Sequence, residues 1–158
     1  MEEKETLAMQ IGRKLLSEGK TMATAESCTG GNIAHLLTLT PGSSAWFNGG
    51  VVSYINQVKM KVLGVPPVFI KQYTEVSAQV AEAMAEGARR ITGADYAIST
   101  TGIAGPTGGT ADNPVGTVFV GLATPDKILS EKIVFGTDRA SNIEKFSDEA
   151  LSFLLRNI

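Results

Sequence analysis

Thr24-Ala25-Glu26-Ser27-Cys28-Thr29-Gly30-Gly31 decides how this chain is read. A short, partly β-branched apolar run from Thr21 to Ala25 leads into it, and helical spacing from about Gly30 to Leu37 follows. A buried strand, a tight turn and a helix are the simplest account, with Ser27 at the strand-to-helix junction. Two hydroxyls and a thiol before paired glycines make a turn with exposed amides, a geometry suited to a nucleophile or an anion at a helix N-terminus. A second loop, Thr101-Gly102-Ile103-Ala104-Gly105-Pro106-Thr107-Gly108-Gly109-Thr110, follows the strand-like run Asp95 to Thr101. Two backbone-dominated loops of this kind are placed to converge on one small anionic ligand.

The rest of the chain supplies the layers around these loops. Leu7, Ile11, Leu15 and Leu16 fall at helical spacing, and Gly19 stops that helix near Glu18. Trp46 to Tyr54 holds an extended run ending Val51-Val52-Ser53-Tyr54, and Asn56 is the expected N-cap of a short helix carrying Lys59 and Lys61. Pro66-Pro67 breaks the chain. Ser77 then caps a helix whose Val80, Ala81, Met84, Ala88 and Ile91 form an apolar stripe ending at Gly93. Val115 to Leu122 and Lys132 to Phe135 read as an antiparallel pair, and Phe146 to Leu155 as a C-terminal helix capped by Asp138. This order predicts an α/β fold: a three-layer α/β/α sandwich with a mixed, mostly parallel sheet of about five strands, in one domain over residues 1–158.

Composition narrows the partners. Fourteen Lys and Arg stand against 16 Asp and Glu, a net charge of −2, which offers no general attraction to nucleic acid or to an anionic membrane. The single cysteine, Cys28, has no partner for an internal disulfide, and no Cys/His spacing matches a metal site, so neither metal nor other cofactor is expected. The start, Met1-Glu2-Glu3-Lys4-Glu5, lacks the pattern of a secretory signal, and no apolar run approaches the roughly 20 residues of a membrane span. A cytoplasmic protein acting on a small molecule is expected. Trp46 and Phe47, in a Gly/Ser-rich segment, mark a candidate subunit contact for a homo-oligomer, with a dimer favoured.

A serine nucleophile needs a base, because a free hydroxyl is too weakly acidic to attack a carbonyl at neutral pH. His35, the only histidine, lies about two turns into the helix after Ser27 and reads as a partly exposed surface residue. Lysine is the remaining base type. Lys59 fits if it is desolvated, with the Tyr54 phenol to relay or orient the proton. Cys28 is a rival nucleophile at the same turn, but a small thiol packing behind a turn is the commoner case, and Ser27 is preferred. Amides of Thr29, Gly30 and Gly31 are candidates for an oxyanion or a phosphate, and Arg139, after the strand ending at Phe135, for a phosphate clamp. Neither loop has the spacing of a P-loop or of a dinucleotide fingerprint.

Taken in order, Thr24 to Gly31, Gly42-Ser43-Ser44-Ala45-Trp46-Phe47, Val52-Ser53-Tyr54 with Asn56 and Lys59, Thr101 to Pro106 with Gly108-Gly109, and Pro114-Val115-Gly116-Thr117-Val118 resemble the CinA C-terminal domain family. The resemblance spans nearly the whole chain. It implies an amidohydrolase in its stand-alone form that converts nicotinamide mononucleotide to nicotinic acid mononucleotide and ammonia without a metal. It implies Ser27 as nucleophile, Lys59 and Tyr54 in proton transfer, and substrate contacts from Asn56, from Thr29, Gly30 and Gly31, from Gly102, Ala104, Gly105, Gly108 and Gly109, and from Arg139. The chain departs from the family pattern at Asn32, Gly49, Ile55, Gln57, Thr107 and Gly136-Thr137. The alternative reading is a catalytically silent module that binds a pyridine nucleotide.

Overall fold

Local chemistry sets the helix ends. In the computed structural model, which describes residues 4–158, the Thr6 hydroxyl accepts from the Met9 amide and starts α1 (Leu7–Glu18), and Gly19, at φ 64°, closes it. Residues 1–3, the beginning of the charged N-terminal stretch, lie outside the described residues. The chain continues through β1 (Met22–Glu26), α2 (Asn32–Thr38), a single 3-10 turn at Ser43–Ala45, β2 (Phe47–Val52), α3 (Asn56–Lys61), α4 (Pro67–Tyr73), α5 (Ala78–Thr92), β3 (Tyr96–Gly102), β4 (Thr117–Ala123), β5 (Ile128–Val134) and α6 (Arg139–Asn157). Ser77 and Asp138 cap α5 and α6 as the sequence predicts, accepting from the amides of Val80 and Ser141.

The five strands form one sheet in the order β2-β1-β3-β4-β5. β1 pairs in parallel with β2 and β3, while β4 is antiparallel to β3 and β5, so four strands point one way and β4 alone is reversed. Alternation along the strands divides the core in two. Met22, Ile98, Val118, Val120 and Leu122 pack with α1, α2 and α6 on one face, and the small Ala23, Ala25 and Ala97 pack with α5 on the other. Small side chains let α5 lie close: a Cβ on Gly121 would come within 2.4 Å of the Ala81 carbonyl, and Ser99 donates its hydroxyl to that same oxygen. The fold is therefore the expected three-layer α/β/α sandwich.

Several local expectations are corrected. Trp46 is fully buried, its indole stacked where a Cβ on Gly12 of α1 would fall, 2.7 Å from Cε2, so it anchors α1 to the sheet and offers no subunit contact; Phe47 is partly buried against the same core. Asn56 is the first residue of α3 and Ile55 holds the cap position, without a side-chain cap. Pro66-Pro67 breaks the chain only to start α4, since a proline at the first helical turn gives up an amide that has no partner there.

Between α4 and α5, Thr74 sits at φ 68°, ψ 168°, a region that β-branched residues almost never occupy. Such a conformation costs on the order of 1–3 kcal/mol, and glycine would lower that cost while adding about 0.5–1 kcal/mol of unfolded-state entropy. Thr74→Gly is expected to stabilise the fold by about 1 kcal/mol, read as a higher urea midpoint at unchanged slope. An unchanged or lower midpoint would mean that the Thr74 side chain holds the segment.

Candidate active site

The chain leaves β1 outward to β2, then returns across β1 to lay down β3, so β1 and β3 flank the point where the winding reverses. Ligand crevices in open α/β sheets lie at the carboxyl ends of the strands at such a point. A cleft of about 930 Å³ opens there, within the roughly 300–1,000 Å³ of small-molecule sites. Its walls come from separate segments: Ser27 and Cys28 after β1, Tyr54 to Lys59 after β2, Gln72 to Val76 between α4 and α5, the loop after β3, and Arg139 at the start of α6.

Ser27 and Lys59, 32 residues apart in sequence, meet in this cleft. Lys59 Nζ lies 2.9 Å from Ser27 Oγ and donates to the Ser53 carbonyl at 2.9 Å. Lys59 is 1% exposed and Ser27 8%. Burial pushes the Lys59 ammonium below its ordinary value of 10.5, partly opposed by the negative charge of Glu75. At that distance an ammonium donates to the Ser27 oxygen, and an unprotonated amine accepts the hydroxyl proton instead, so the pair is built for a general base acting on a serine.

The backbone around the pair is tied down. The Ser27 amide donates to the Thr100 carbonyl, and the Ser53 amide and hydroxyl both donate to the Glu26 carbonyl. Glu26 itself, 1% exposed, accepts from the Thr29 hydroxyl at 2.6 Å and from the amides of Ile33 and Ala34 at 2.9 and 3.0 Å. Its carboxylate thus supplies the cap that Gly31 cannot provide for α2, and it neutralises that helix N-terminus.

Thr29, Gly30 and Gly31 are not among the residues that line the cleft: the Thr29 hydroxyl is held between Glu26 and Thr100, and the Gly30 amide donates to the Ser27 carbonyl. The end of α2 is occupied by a carboxylate and not offered to a phosphate. Cys28 does reach the cleft wall, but burial pushes its thiol up to about 12, which leaves it protonated and poorly nucleophilic at neutral pH.

Tyr54 is hydrogen-bonded to Arg139 and not to the Ser27–Lys59 pair. It is 57% exposed, and its hydroxyl accepts from Arg139 Nη2 at 2.9 Å, with no hydrogen bond to Ser27 or Lys59 among the described residues. Arg139 also donates from Nη1 to the Gly105 carbonyl at 2.6 Å. Arg139, Tyr54 and the loop after β3 therefore form a second cluster in the cleft, hydrogen-bonded among themselves. Gly102, Ala104, Gly105, Gly108 and Asn56 line the cleft, whereas Gly109 packs on Pro114 and Val115 and does not. His35 is exposed on α2, away from the site.

Sequence reasoning missed three contributors. Asn142, fully buried, donates to the carbonyls of Ala104 and Thr137 and accepts from the Thr137 amide and hydroxyl, which ties the glycine loop to the start of α6. Ser53 orients Lys59 through its carbonyl, a role that no side-chain pattern announces. The wall from Gln72 to Val76 is fixed from below, where the Thr101 hydroxyl donates to the Glu75 carbonyl at 2.6 Å and Asn113 Nδ2 donates to the Val76 carbonyl at 3.1 Å. Among the described residues no cluster of three or more His, Cys, Asp or Glu is arranged to hold a metal ion, and no helix is long and apolar enough to cross a membrane.

The model of the CinA C-terminal domain matches residues 4–158. The chain belongs to this family. A CinA-like protein of Synechocystis sp. is 52% identical over 138 residues, covering 87% of this chain and 33% of the relative. One from Chloroherpeton thalassium is 48% identical, covering 94% and 36%. The chain thus spans about a third of the length of these CinA-like relatives. Among solved structures, the competence/damage inducible protein CihA from Agrobacterium tumefaciens superposes with a TM-score of 0.92 at 38% identity, covering 95% of this chain and 92% of that one. Competence damage-inducible protein A from Klebsiella pneumoniae gives 0.92 at 32% identity, covering 96% and 94%. In this CinA domain the Ser27–Lys59 pair forms beside positions that depart from the expected pattern. Two departures have structural uses: Asn32 donates to the Ser147 hydroxyl at 2.8 Å, and Thr137 engages Asn142.

Proposed function

We propose that this CinA domain is a serine amidohydrolase that deamidates nicotinamide mononucleotide. The observation that carries the reading is the buried Lys59 amine 2.9 Å from the Ser27 hydroxyl at the floor of a nucleotide-sized cleft. Ser27 Oγ attacks the carboxamide carbon while Lys59 takes its proton. Lys59 then returns that proton to the amide nitrogen, ammonia departs, and an ester to Ser27 remains. Water, deprotonated by Lys59, attacks the ester, and the proton passes to Ser27 Oγ as nicotinic acid mononucleotide leaves. The Cys28 amide, next to the nucleophile on the cleft wall, is the donor for the oxyanion.

The two clusters divide the substrate. The carboxamide belongs with Ser27 and Lys59. The phosphate belongs with Arg139 and the loop at Gly105 and Gly108, where guanidinium and backbone converge. In this reading Tyr54 orients Arg139 instead of moving the proton.

The test is ammonia release from nicotinamide mononucleotide and from its dephosphorylated riboside. The wild-type protein is expected to favour the mononucleotide. Arg139→Ala should raise KM for the mononucleotide by about tenfold or more with little change for the riboside, since a charge-assisted pair to phosphate is worth about 1.5–3 kcal/mol. Tyr54→Phe should act in the same direction and less strongly, with kcat nearly kept. A large fall in kcat for Tyr54→Phe with both substrates would return the phenol to the proton path. Saturable binding with no ammonia from either compound would favour the silent nucleotide-binding module.

A further inference from the structure

The cleft holds acidic side chains that the proposed chemistry does not use. Glu75 lies on the wall between α4 and α5, in the same cleft as Ser27 and Lys59. It is exposed, and the ion pairs among the described residues leave its carboxylate without a cationic partner. Its backbone is fixed: the Thr101 hydroxyl holds its carbonyl, Thr74 before it sits in a strained conformation, and Ser77 after it caps α5 with its hydroxyl bound back to the Thr74 carbonyl.

We propose that Glu75 selects substrates whose amide-bearing ring is cationic. This rests on the amidohydrolase reading and names the ring chemistry that such a site would favour. The carboxamide must reach Ser27, so the ring that carries it lies beside the nucleophile, and the phosphate extends toward Arg139. The cleft wall carries an anion at Glu75 and a cation at Arg139. An N-ribosylated pyridinium with a distal phosphate has the complementary sequence of charges. Asp112 also lines the cleft, but its backbone carbonyl takes the Lys132 ammonium at 2.8 Å, which brings a cation beside that acid. Glu75 is tied to the reacting end: Thr101, whose hydroxyl holds its carbonyl, follows Thr100, whose carbonyl takes the Ser27 amide, and its charge opposes the lowering of the Lys59 pKa. Hydrolysis replaces a neutral amide by a carboxylate at that end, so Glu75 also repels the product.

The experiment compares two ring states of one molecule. Nicotinamide mononucleotide and its 1,4-dihydro form share ribose, phosphate and carboxamide, and only the oxidised form carries the ring charge. Dissociation constants for both are measured by calorimetry on the Ser27→Ala protein, which binds without turning over, and on Ser27→Ala with Glu75→Gln. Glu75→Gln is expected to weaken the oxidised form about fivefold while changing the reduced form by less than about twofold, the size of one solvent-screened charge contact. Equal changes in the two ring states, including none, or a gain for the oxidised form, would overturn the role of Glu75 and leave the amidohydrolase reading standing. Failure of Ser27→Ala to bind either mononucleotide would overturn both.

Discussion

Ser27→Ala is expected to lower kcat for ammonia release by about 10³-fold or more while leaving the dissociation constant for nicotinamide mononucleotide within a fewfold of wild type, as removal of a nucleophile does when binding groups are untouched. Cys28→Ala, at the next position, should keep activity within about tenfold. The two differ because of what surrounds them. Ser27 Oγ is within hydrogen-bond reach of an amine that burial inclines toward its neutral form. The Cys28 thiol is held protonated by the same burial, with its value pushed up to about 12, and its sulfur lies 3.3 Å from where a Cβ on Gly102 would stand. It packs against the β3 end as a small apolar group. Steady-state kinetics on both variants, with circular dichroism to check folding, decide the matter. An inactive Cys28→Ala beside an active Ser27→Ala would make this a thiol enzyme.

What the sequence revealed of this site follows from the range of the interactions involved. Ser27 was legible because a strand, a turn and a helix are local, and each leaves a pattern within ten residues. Lys59 followed by elimination, as the base that a serine needs when the only histidine is misplaced. Glu26 was not legible: a glutamate at a strand end reads as a surface charge until α2 folds back and presents the amides of Ile33 and Ala34 to it. The Tyr54 partner was hidden for the same reason, since Arg139 arrives from 85 residues away at the start of α6. Trp46 looked exposed among glycines and serines, yet Gly12, 34 residues earlier, leaves the space that buries its ring. In the fold itself, helix caps and apolar stripes located α1, α5 and α6, and the antiparallel β4–β5 pair was visible as two runs of strand-like residues. α4 was lost because a proline pair signals a break without saying whether a helix begins after it.

Replacing Lys59 should be as damaging with arginine as with alanine. If Lys59 only stabilised negative charge, a guanidinium would preserve much of the rate; a base must release its proton, and arginine does not do so in a protein. The pH dependence makes the same distinction. Desolvation, the largest influence on Lys59, lowers its value from the ordinary 10.5, so the folded enzyme frees the amine at a lower pH than an exposed lysine would. The pH profile of kcat/KM should rise along an acidic limb that reports Lys59 in the free enzyme, and Lys59→Ala should lose that limb together with most of the rate. Stability carries the matching sign. Between the depressed folded value and 10.5 the unfolded chain binds more protons than the native one, so the Lys59 contribution to unfolding free energy increases with pH across that window, and it is least favourable below the folded value, where the native state must bury the charge. Urea midpoints of wild type relative to Lys59→Ala should therefore rise over that interval. An active Lys59→Arg enzyme, or an acidic limb that survives in Lys59→Ala, would assign the proton to a different group.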